Sequence, residues 1–265
     1  MVNIAFNKSK STIKKIAKRL LTEKQVNSLD EIYYSVVFSK NLIKLATFYG
    51  TDKWNQHWYA QHYQKHFESL RKKRLNLLEI GIGGYDNPNK GGESLRMWRA
   101  YFSKSNIYGI DIYNKKAHDE KRIKTFQGSQ VDLDFIKQVV KEIGQLNIII
   151  DDGSHINEHV IETFKILFPL LSDNGIYVIE DTQTSYWKKF GGSRHHSDSN
   201  PTIMGFFKEL CDGLNYAEFS SQDYSPSYFE KHIISIQFYH NLIFIYKGKN
   251  NEGSNFKYET LAKFI

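Results

Sequence analysis

From residue 75 onward, short apolar runs alternate with longer amphipathic stretches. The runs fall at residues 75–82, 106–113, 123–127, 146–150 and 175–179, each the length of a strand. Between them, residues 94–102, 132–143 and 156–171 space their apolar side chains for helices. Strands separated by helices imply parallel pairing, because a tight turn cannot join two parallel neighbours. Late in the chain, residues 233–238 and 242–246 are separated only by Tyr239-His240-Asn241. A gap that short permits an antiparallel hairpin and no crossover. The pattern therefore predicts an α/β protein with a Rossmann-like, seven-stranded, mostly parallel sheet that ends in an antiparallel hairpin.

Residues 25–74 lack strand alternation and read mostly as helix. They contain Tyr49-Gly50-Thr51-Asp52-Lys53, followed by His57, Tyr59, His62, Tyr63 and His66. Residues 57–66 read as a helix with its polar aromatics on one broad face. His62 and His66 are four apart, a metal-pair spacing. No further ligand follows at a convincing distance, so a surface or substrate-facing helix explains them better. There is no internal repeat and no low-complexity linker. The expected organisation is an N-terminal helical extension, 1–74, whose basic tail is 1–24, followed by one α/β domain, 75–265.

Composition adds less than charge. The 40% hydrophobic and 25% charged content is that of a globular protein. The single cysteine, Cys211, allows no intramolecular disulfide and fits a reducing compartment. No apolar run approaches the roughly 18–20 residues of a membrane span, and no signal-peptide pattern is present. A cytoplasmic chain is expected. The net charge of +7 would hint at nucleic acid until it is located. Residues 1–24 hold seven Lys/Arg and one acid, Glu23, which is +6, and +7 less +6 leaves +1 for the rest. The body is near neutral, and no nucleic-acid partner is expected. In the tail, Ile13, Ile16, Ala17, Leu20 and Leu21 recur at helical spacing. Such a segment could lie on an anionic membrane surface. Docking on its own protein or on another subunit of a homo-oligomer is the favoured reading.

In open α/β sheets, ligands bind beyond the carboxyl ends of the strands. The informative residues sit there. Glu79-Ile80-Gly81-Ile82-Gly83-Gly84 closes the first strand, and glycines at that point let backbone approach a nucleotide closely. A dinucleotide turn would need glycine at position 86, where Asp86 stands, and the insertion 85–92 is long for a pyrophosphate turn. Asp111 ends the second strand. It can hold two ribose hydroxyls, or it can simply cap the strand. Glu79, Gly81, Gly83 and Asp111 together suit an adenosine cofactor without a pyrophosphate, S-adenosylmethionine. Gln130 and Asp132 follow the third strand, where a polar side chain can hydrogen-bond adenine.

The stretch DDGSHINEH, residues 151–159, follows the fourth strand, and Glu180-Asp181 follows the fifth. Adjacent strands lie about 4.8 Å apart. If these two are neighbours, three or four carboxylates converge and need a cation to offset their repulsion. Carboxylate oxygens suit Mg²⁺. One or two of these acids could instead cap helices or pair with Lys/Arg, Asp151 above all. The last five residues of the stretch, H-x-x-E-H, also spell a zinc-peptidase helix. That reading needs a third protein ligand, and none stands out, although Glu218 and Glu230 remain candidates. Here the motif starts a helix leaving a cofactor-binding sheet, which places His155 beside the carboxylates.

Glu79–Gly84, Ser94-Leu95-Arg96-Met97-Trp98, residues 108–113, DDGSHINEH and Glu180-Asp181-Thr182-Gln183-Thr184-Ser185-Tyr186-Trp187 together resemble the macrolide deoxysugar O-methyltransferases of the mycinamicin 2''-O-methyltransferase type. The resemblance covers about residues 45–247. It implies the class I methyltransferase fold, S-adenosylmethionine and Mg²⁺, with Asp152, Glu180 and Asp181 as metal ligands and His155 as general base. It leaves Asp151 on the cofactor side. It implies a sugar acceptor on a small molecule or glycan, with the metal on two vicinal hydroxyls. Tyr49, Tyr186 and Trp187 are candidate acceptor contacts, and residues 186–200, with His195-His196, read as a mobile cover over the acceptor. The family carries a larger N-terminal domain than the roughly 70 residues here, which puts its substrate and oligomer contacts in doubt for this chain. A same-fold antibiotic hydroxylase component and a non-catalytic S-adenosylmethionine-binding subunit are the alternative functions.

Overall fold

The structure is a computed structural model that describes residues 22–194, 201–219 and 224–254. The amphipathic segment 11–21 and His195-His196 lie outside the described residues. Two compact units are present.

The first unit comprises residues 22–72 with 96–103. Helix α1 (Glu23–Val37) starts at a capping box in which Thr22 and Gln25 bond reciprocally. Asn41 caps α2 (Leu42–Tyr49), which ends at left-handed Gly50. The third helix, α3 (Ala60–Phe67), is shorter than the predicted 57–66 helix. His57 precedes it and stacks on Tyr59 with ring centroids 4.8 Å apart. Leu42, Leu45, Tyr63, Phe67, Trp98 and Phe102 form the buried centre of this unit. Trp98 belongs to α4 (Glu93–Tyr101). His66 is buried beside Lys65 and His62, and burial drives its imidazole down to about 4.

The second unit comprises residues 73–95 with 104–254. Its sheet has the order β3-β2-β1-β4-β5-β7-β6. The strands are β1 (Asn76–Ile80), β2 (Asn106–Asp111), β3 (Ile123–Gln127), β4 (Leu146–Asp151), β5 (Leu171–Glu180), β6 (Ile233–Tyr239) and β7 (Leu242–Lys247). β1 to β5 pair in parallel, while β7 runs antiparallel to both β5 and β6. The predicted fold class is therefore observed. Ile148, Ile149 and Ile150 are all fully buried, as expected where helices cover both faces of a parallel sheet. Three connections carry helices: α4, α5 (Leu133–Ile143) and α6 (Asn157–Leu167).

The junction between α6 and β5 differs most from expectation. The helix predicted over 156–171 ends at Leu167, and β5 begins at Leu171 rather than at 175. Pro169 sits in the intervening 3-10 turn, Phe168–Leu170, where it has no N–H to continue a helix ladder. Buried Lys247 closes that turn by donating to the carbonyls of Phe168, Pro169 and Leu171 at 3.0, 2.9 and 2.6 Å. Helices α7 (Ile203–Asp212) and α8 (Tyr228–His232) lie outside the predicted set. Among the described residues, no helix is long and apolar enough to cross a membrane.

Candidate active site

Strand register sets the site. Ile80 pairs with Ile110 on one side and Asp151 on the other, and Asp151 pairs with Ile179. The carboxyl ends of β2, β1, β4 and β5 are thus level, and the residues that follow them share one rim. The Asp152 N–H donates to Ile80 O at 2.9 Å, carrying the β1–β4 contact one residue further.

Four acids and one imidazole meet there. Ligand atoms of Asp152, His155 and Asp181 lie within 4.8 Å of one another, as do those of Glu79, Asp152 and Glu180. His155 Nε2 is 3.8 Å from Asp152 Oδ1 and 3.6 Å from Asp181 Oδ2. Asp152, His155 and Asp181 are partly exposed, whereas Glu79 and Glu180 are buried. Buried Glu79 takes a hydrogen bond from the Ser94 hydroxyl at 2.8 Å. Clustered carboxylates repel unless a cation sits among them, and an all-carboxylate oxygen set matches a hard divalent ion. The donor set therefore fits Mg²⁺. Among the described residues, every group of three or more potential metal ligands includes Asp152. His62 and His66 form no such group.

The turn that presents His155 is tied down locally. The Ser154 N–H donates to Gln130 Oε1 at 2.8 Å, and Ser154 Oγ accepts the Ile156 N–H at 3.3 Å, spanning His155. The same hydroxyl is hydrogen-bonded to His159 Nδ1 at 3.1 Å. The second histidine of H-x-x-E-H thus turns back to Ser154 and does not join the carboxylates.

On the cofactor side, Asp111 accepts the Ile82 N–H at 3.0 Å and the Tyr113 N–H at 2.9 Å. It joins the turns after β1 and β2, with its carboxylate at the crevice between them. Gly81 and Gly83 both have positive φ in that first turn. Ile112, Tyr113 and Leu133, which follow adjacent strands β2 and β3, leave 58, 44 and 46% of their surface exposed. This apolar rim escaped the sequence reading. It suits an adenine face, and large apolar side chains just past two strand ends were the available signal.

Three residues expected at the cofactor also make hydrogen bonds within the protein. The Gln130 amide donates to Asp151 Oδ1 at 3.3 Å and Thr163 Oγ1 at 2.9 Å, and its oxygen is taken by Ser154. Asp132 caps α5 through the Asp134 and Phe135 N–H groups. Asp151 is 1% exposed and faces the interior, where burial pushes its carboxyl up to about 7. Asp151 and Gln130 brace the 151–154 turn from behind. Among the candidate acceptor contacts, Tyr186 and Trp187 stand at the end of the 3-10 turn that follows Asp181 and are about half exposed. Tyr49 belongs to the first unit. Its hydroxyl is 3.4 Å from Glu31 Oε1, an oxygen that also takes Arg99 Nη2 at 2.5 Å. Burial pushes that phenol up to about 12.

Residues 90–209 match the family described as Rhamnosyl O-methyltransferase/CmcI. Over 215 residues the chain is 43% identical to the mycinamicin VI 2''-O-methyltransferase of Micromonospora griseorubida, an alignment covering 80% of this chain and 54% of that protein. Over 211 residues it is 43% identical to the 8-demethyl-8-alpha-L-rhamnosyl tetracenomycin-C 2'-O-methyltransferase of Streptomyces olivaceus, covering 79% and 55%. The fold is shared with the MycE methyltransferase of mycinamycin biosynthesis, solved in complex with Mg and SAH. That match has a TM-score of 0.79 at 41% identity and covers 84% of this chain and 59% of that one. The chain spans about half the length of the relatives it matches.

Proposed function

The chain is a relative of the sugar O-methyltransferases of macrolide and tetracenomycin glycosides, and from that kinship we propose that it transfers a methyl group from S-adenosylmethionine to a sugar hydroxyl with the help of Mg²⁺. One observation carries the reading: an imidazole and converging carboxylates share the rim of a sheet whose neighbouring strand ends in a glycine turn. The two relatives act on glycosides with different aglycones, so the sugar hydroxyl is the feature their named activities share. The acceptor class is a hydroxylated sugar on a small molecule or glycan. We place the methyltransferase domain at 75–265.

Asp152, Glu180 and Asp181 would hold the metal, with buried Glu79 within ligand distance of Asp152 and Glu180. When bound, the divalent ion supplies positive charge that favours ionisation of one of two vicinal hydroxyls, and S-adenosylmethionine supplies the methyl. His155 Nε2, 3.8 Å from Asp152 and 3.6 Å from Asp181, would take the hydroxyl proton as the oxygen forms its bond to the methyl carbon. The sulfonium leaves as a neutral thioether, so charge and atoms balance. Asp111 and the Gly81–Gly83 backbone orient the cofactor, while Tyr186 and Trp187 offer aromatic faces to the sugar. Much of the rate comes from holding oxygen and methyl in line. A binding subunit without catalysis would need neither the base nor the carboxylates. The lone Cys211 supports a reducing, cytoplasmic setting. Self-association and contact of the basic segment 1–24 with an anionic surface complete the proposal.

The test is transfer of labelled methyl to a panel of sugar nucleotides, glycolipids and glycosylated antibiotics. His155→Ala should lower turnover by about 10²–10⁴-fold, the usual contribution of a general base, with cofactor affinity kept. EDTA should stop transfer and Mg²⁺ restore it. Full activity in the variant would remove the proposed base, and indifference to EDTA would remove the metal.

A further inference from the structure

Asn157 is the first residue of α6, two places after His155. An asparagine at a helix start is ordinarily an exposed cap. This one is 1% exposed, and its amide points away from its own helix. Nδ2 donates to Thr184 O at 3.1 Å and to Phe190 O at 2.9 Å, while Oδ1 accepts the Ile203 N–H at 2.7 Å. One side chain thereby joins the turn after β4, the 182–190 segment after β5, and the start of α7.

The held segment leads back to the carboxylates. The Thr184 N–H and hydroxyl both donate to Asp181 O, at 3.2 and 3.1 Å. The Gly192 N–H donates to Trp187 O at 3.0 Å, and the Ser193 N–H donates to Ser185 O at 2.8 Å. A Cβ at Gly192 would meet Thr184 O at 2.2 Å, so this segment closes tightly around Asn157's partner.

We propose that Asn157 is a positioning residue that fastens the turn bearing Asp152 and His155 to the segment bearing Glu180, Asp181 and Trp187. It thereby sets the 3.6 Å between His155 and Asp181 and the placement of Trp187 at the acceptor side. The catalytic consequence rests on the proposed methyl transfer; the structural one does not.

Asn157→Asp keeps an acceptor for the Ile203 N–H but turns a carboxylate oxygen toward two carbonyls. Three readouts apply to the full chain: amide hydrogen exchange across 182–193, Mn²⁺ affinity by electron paramagnetic resonance, and kcat and acceptor KM. Exchange at Gly192 and Ser193 should quicken at least about tenfold, and Mn²⁺ affinity should fall. The kcat should drop about 10²-fold, the scale of a roughly 1 Å misplacement. S-adenosylmethionine affinity should stay within about twofold, because Asn157 does not touch the glycine turn. Wild-type exchange together with wild-type kcat/KM would overturn the proposal. So would quickened exchange with unchanged Mn²⁺ affinity and turnover, which would make Asn157 merely structural. If circular dichroism shows that Asn157→Asp does not fold, Asn157→Ser, small enough to admit water to the carbonyls, is read by the same criteria. If the wild-type chain methylates no acceptor, the exchange and Mn²⁺ arms still decide the positioning role while the proposed function fails separately.

Discussion

His155 and Asp181 hold left-handed backbone, φ 56° and 54°, although neither is glycine. Such conformations cost about 1–3 kcal/mol each and persist only where surroundings over-determine them. Here the constraints are the Ser154 hydroxyl bonded across His155 and Thr184 bonded back to Asp181. The strain is what aims both side chains at one point. Gly81 tests how tightly the same rim is packed. A Cβ there would stand 2.0 Å from Asp152 O, whereas at Gly83 it would meet nothing nearer than Gly91 Cα at 3.8 Å. Gly81→Ala should destabilise the chain by about 1–3 kcal/mol from overpacking, in addition to backbone strain, and should displace Asp152. Gly83→Ala should show the strain alone, about 1–2 kcal/mol. Urea melts of the two variants check the order, and equal losses would mean that the Asp152 backbone yields freely. At this scale the sequence displays location better than use. Asp152, His155, Glu180 and Asp181 could be found because they end neighbouring strands. Gln130 and Asp132 could be located equally well, but nothing local says that the Gln130 amide bonds Asp151 and Thr163 or that Asp132 Oδ1 caps α5. Asn157 was invisible for a related reason: its partners lie 27, 33 and 46 residues away.

The parallel strands were legible as elements because burial on both faces leaves continuous apolar runs, and the terminal hairpin because a three-residue gap excludes a crossover. Their order in the sheet is a tertiary fact, and it alone makes β4 and β5 neighbours. Helix ends were less legible. The apolar spacing of α6 continues past Leu167 into Phe168 and Leu171, and only Pro169 marks the break. The insertion 85–92 is the element that periodicity says least about, and the structure shows how it is held. Lys115, 1% exposed, donates through Nζ to Asn87 O at 2.9 Å and Lys90 O at 3.1 Å, and His118 Nε2 lies 3.2 Å from the same Lys90 carbonyl. Lys90 O in turn packs against Gly84. The buried ammonium therefore shapes the loop that follows the Gly81–Gly84 turn. Lys115→Met keeps most of the buried volume, takes the ammonium from Asn87 O and leaves Lys90 O to His118, a loss of up to about 1–3 kcal/mol if the Asn87 carbonyl stays unsatisfied. The variant should bind S-adenosylmethionine several-fold more weakly while its kcat at saturation stays close to wild type. Calorimetric titration checks the affinity, and an unchanged Kd would show that the loop does not bear on the cofactor.

At the scale of the whole chain, net charge and candidate chemistry fall in different parts of the sequence. The candidate acids gather at one rim of the sheet, while the net basicity is carried by residues 1–21. Residues 1–21 carry six Lys/Arg and no acid, so a chain beginning at Thr22 would fall from +7 to +1. Any attraction to an anionic surface should follow that change. Each Lys or Arg near such a surface contributes about 1 kcal/mol, and the interaction fades beyond a Debye length of about 8 Å at physiological salt. The helical spacing of Ile13, Ile16, Ala17, Leu20 and Leu21 in the sequence would add apolar contact if the segment folded as a helix on the surface. The full chain should therefore sediment with phosphatidylserine-rich vesicles at low salt and be released as salt rises. The chain beginning at Thr22 should remain in the supernatant and methylate a soluble acceptor at the wild-type rate, because every residue of the carboxylate–imidazole cluster lies beyond position 78. Equal sedimentation of both chains would move the membrane contact to the near-neutral body. Binding by neither would assign the apolar face of residues 11–21 to a protein surface, and size-exclusion chromatography of the two chains would then show whether that surface belongs to a second copy.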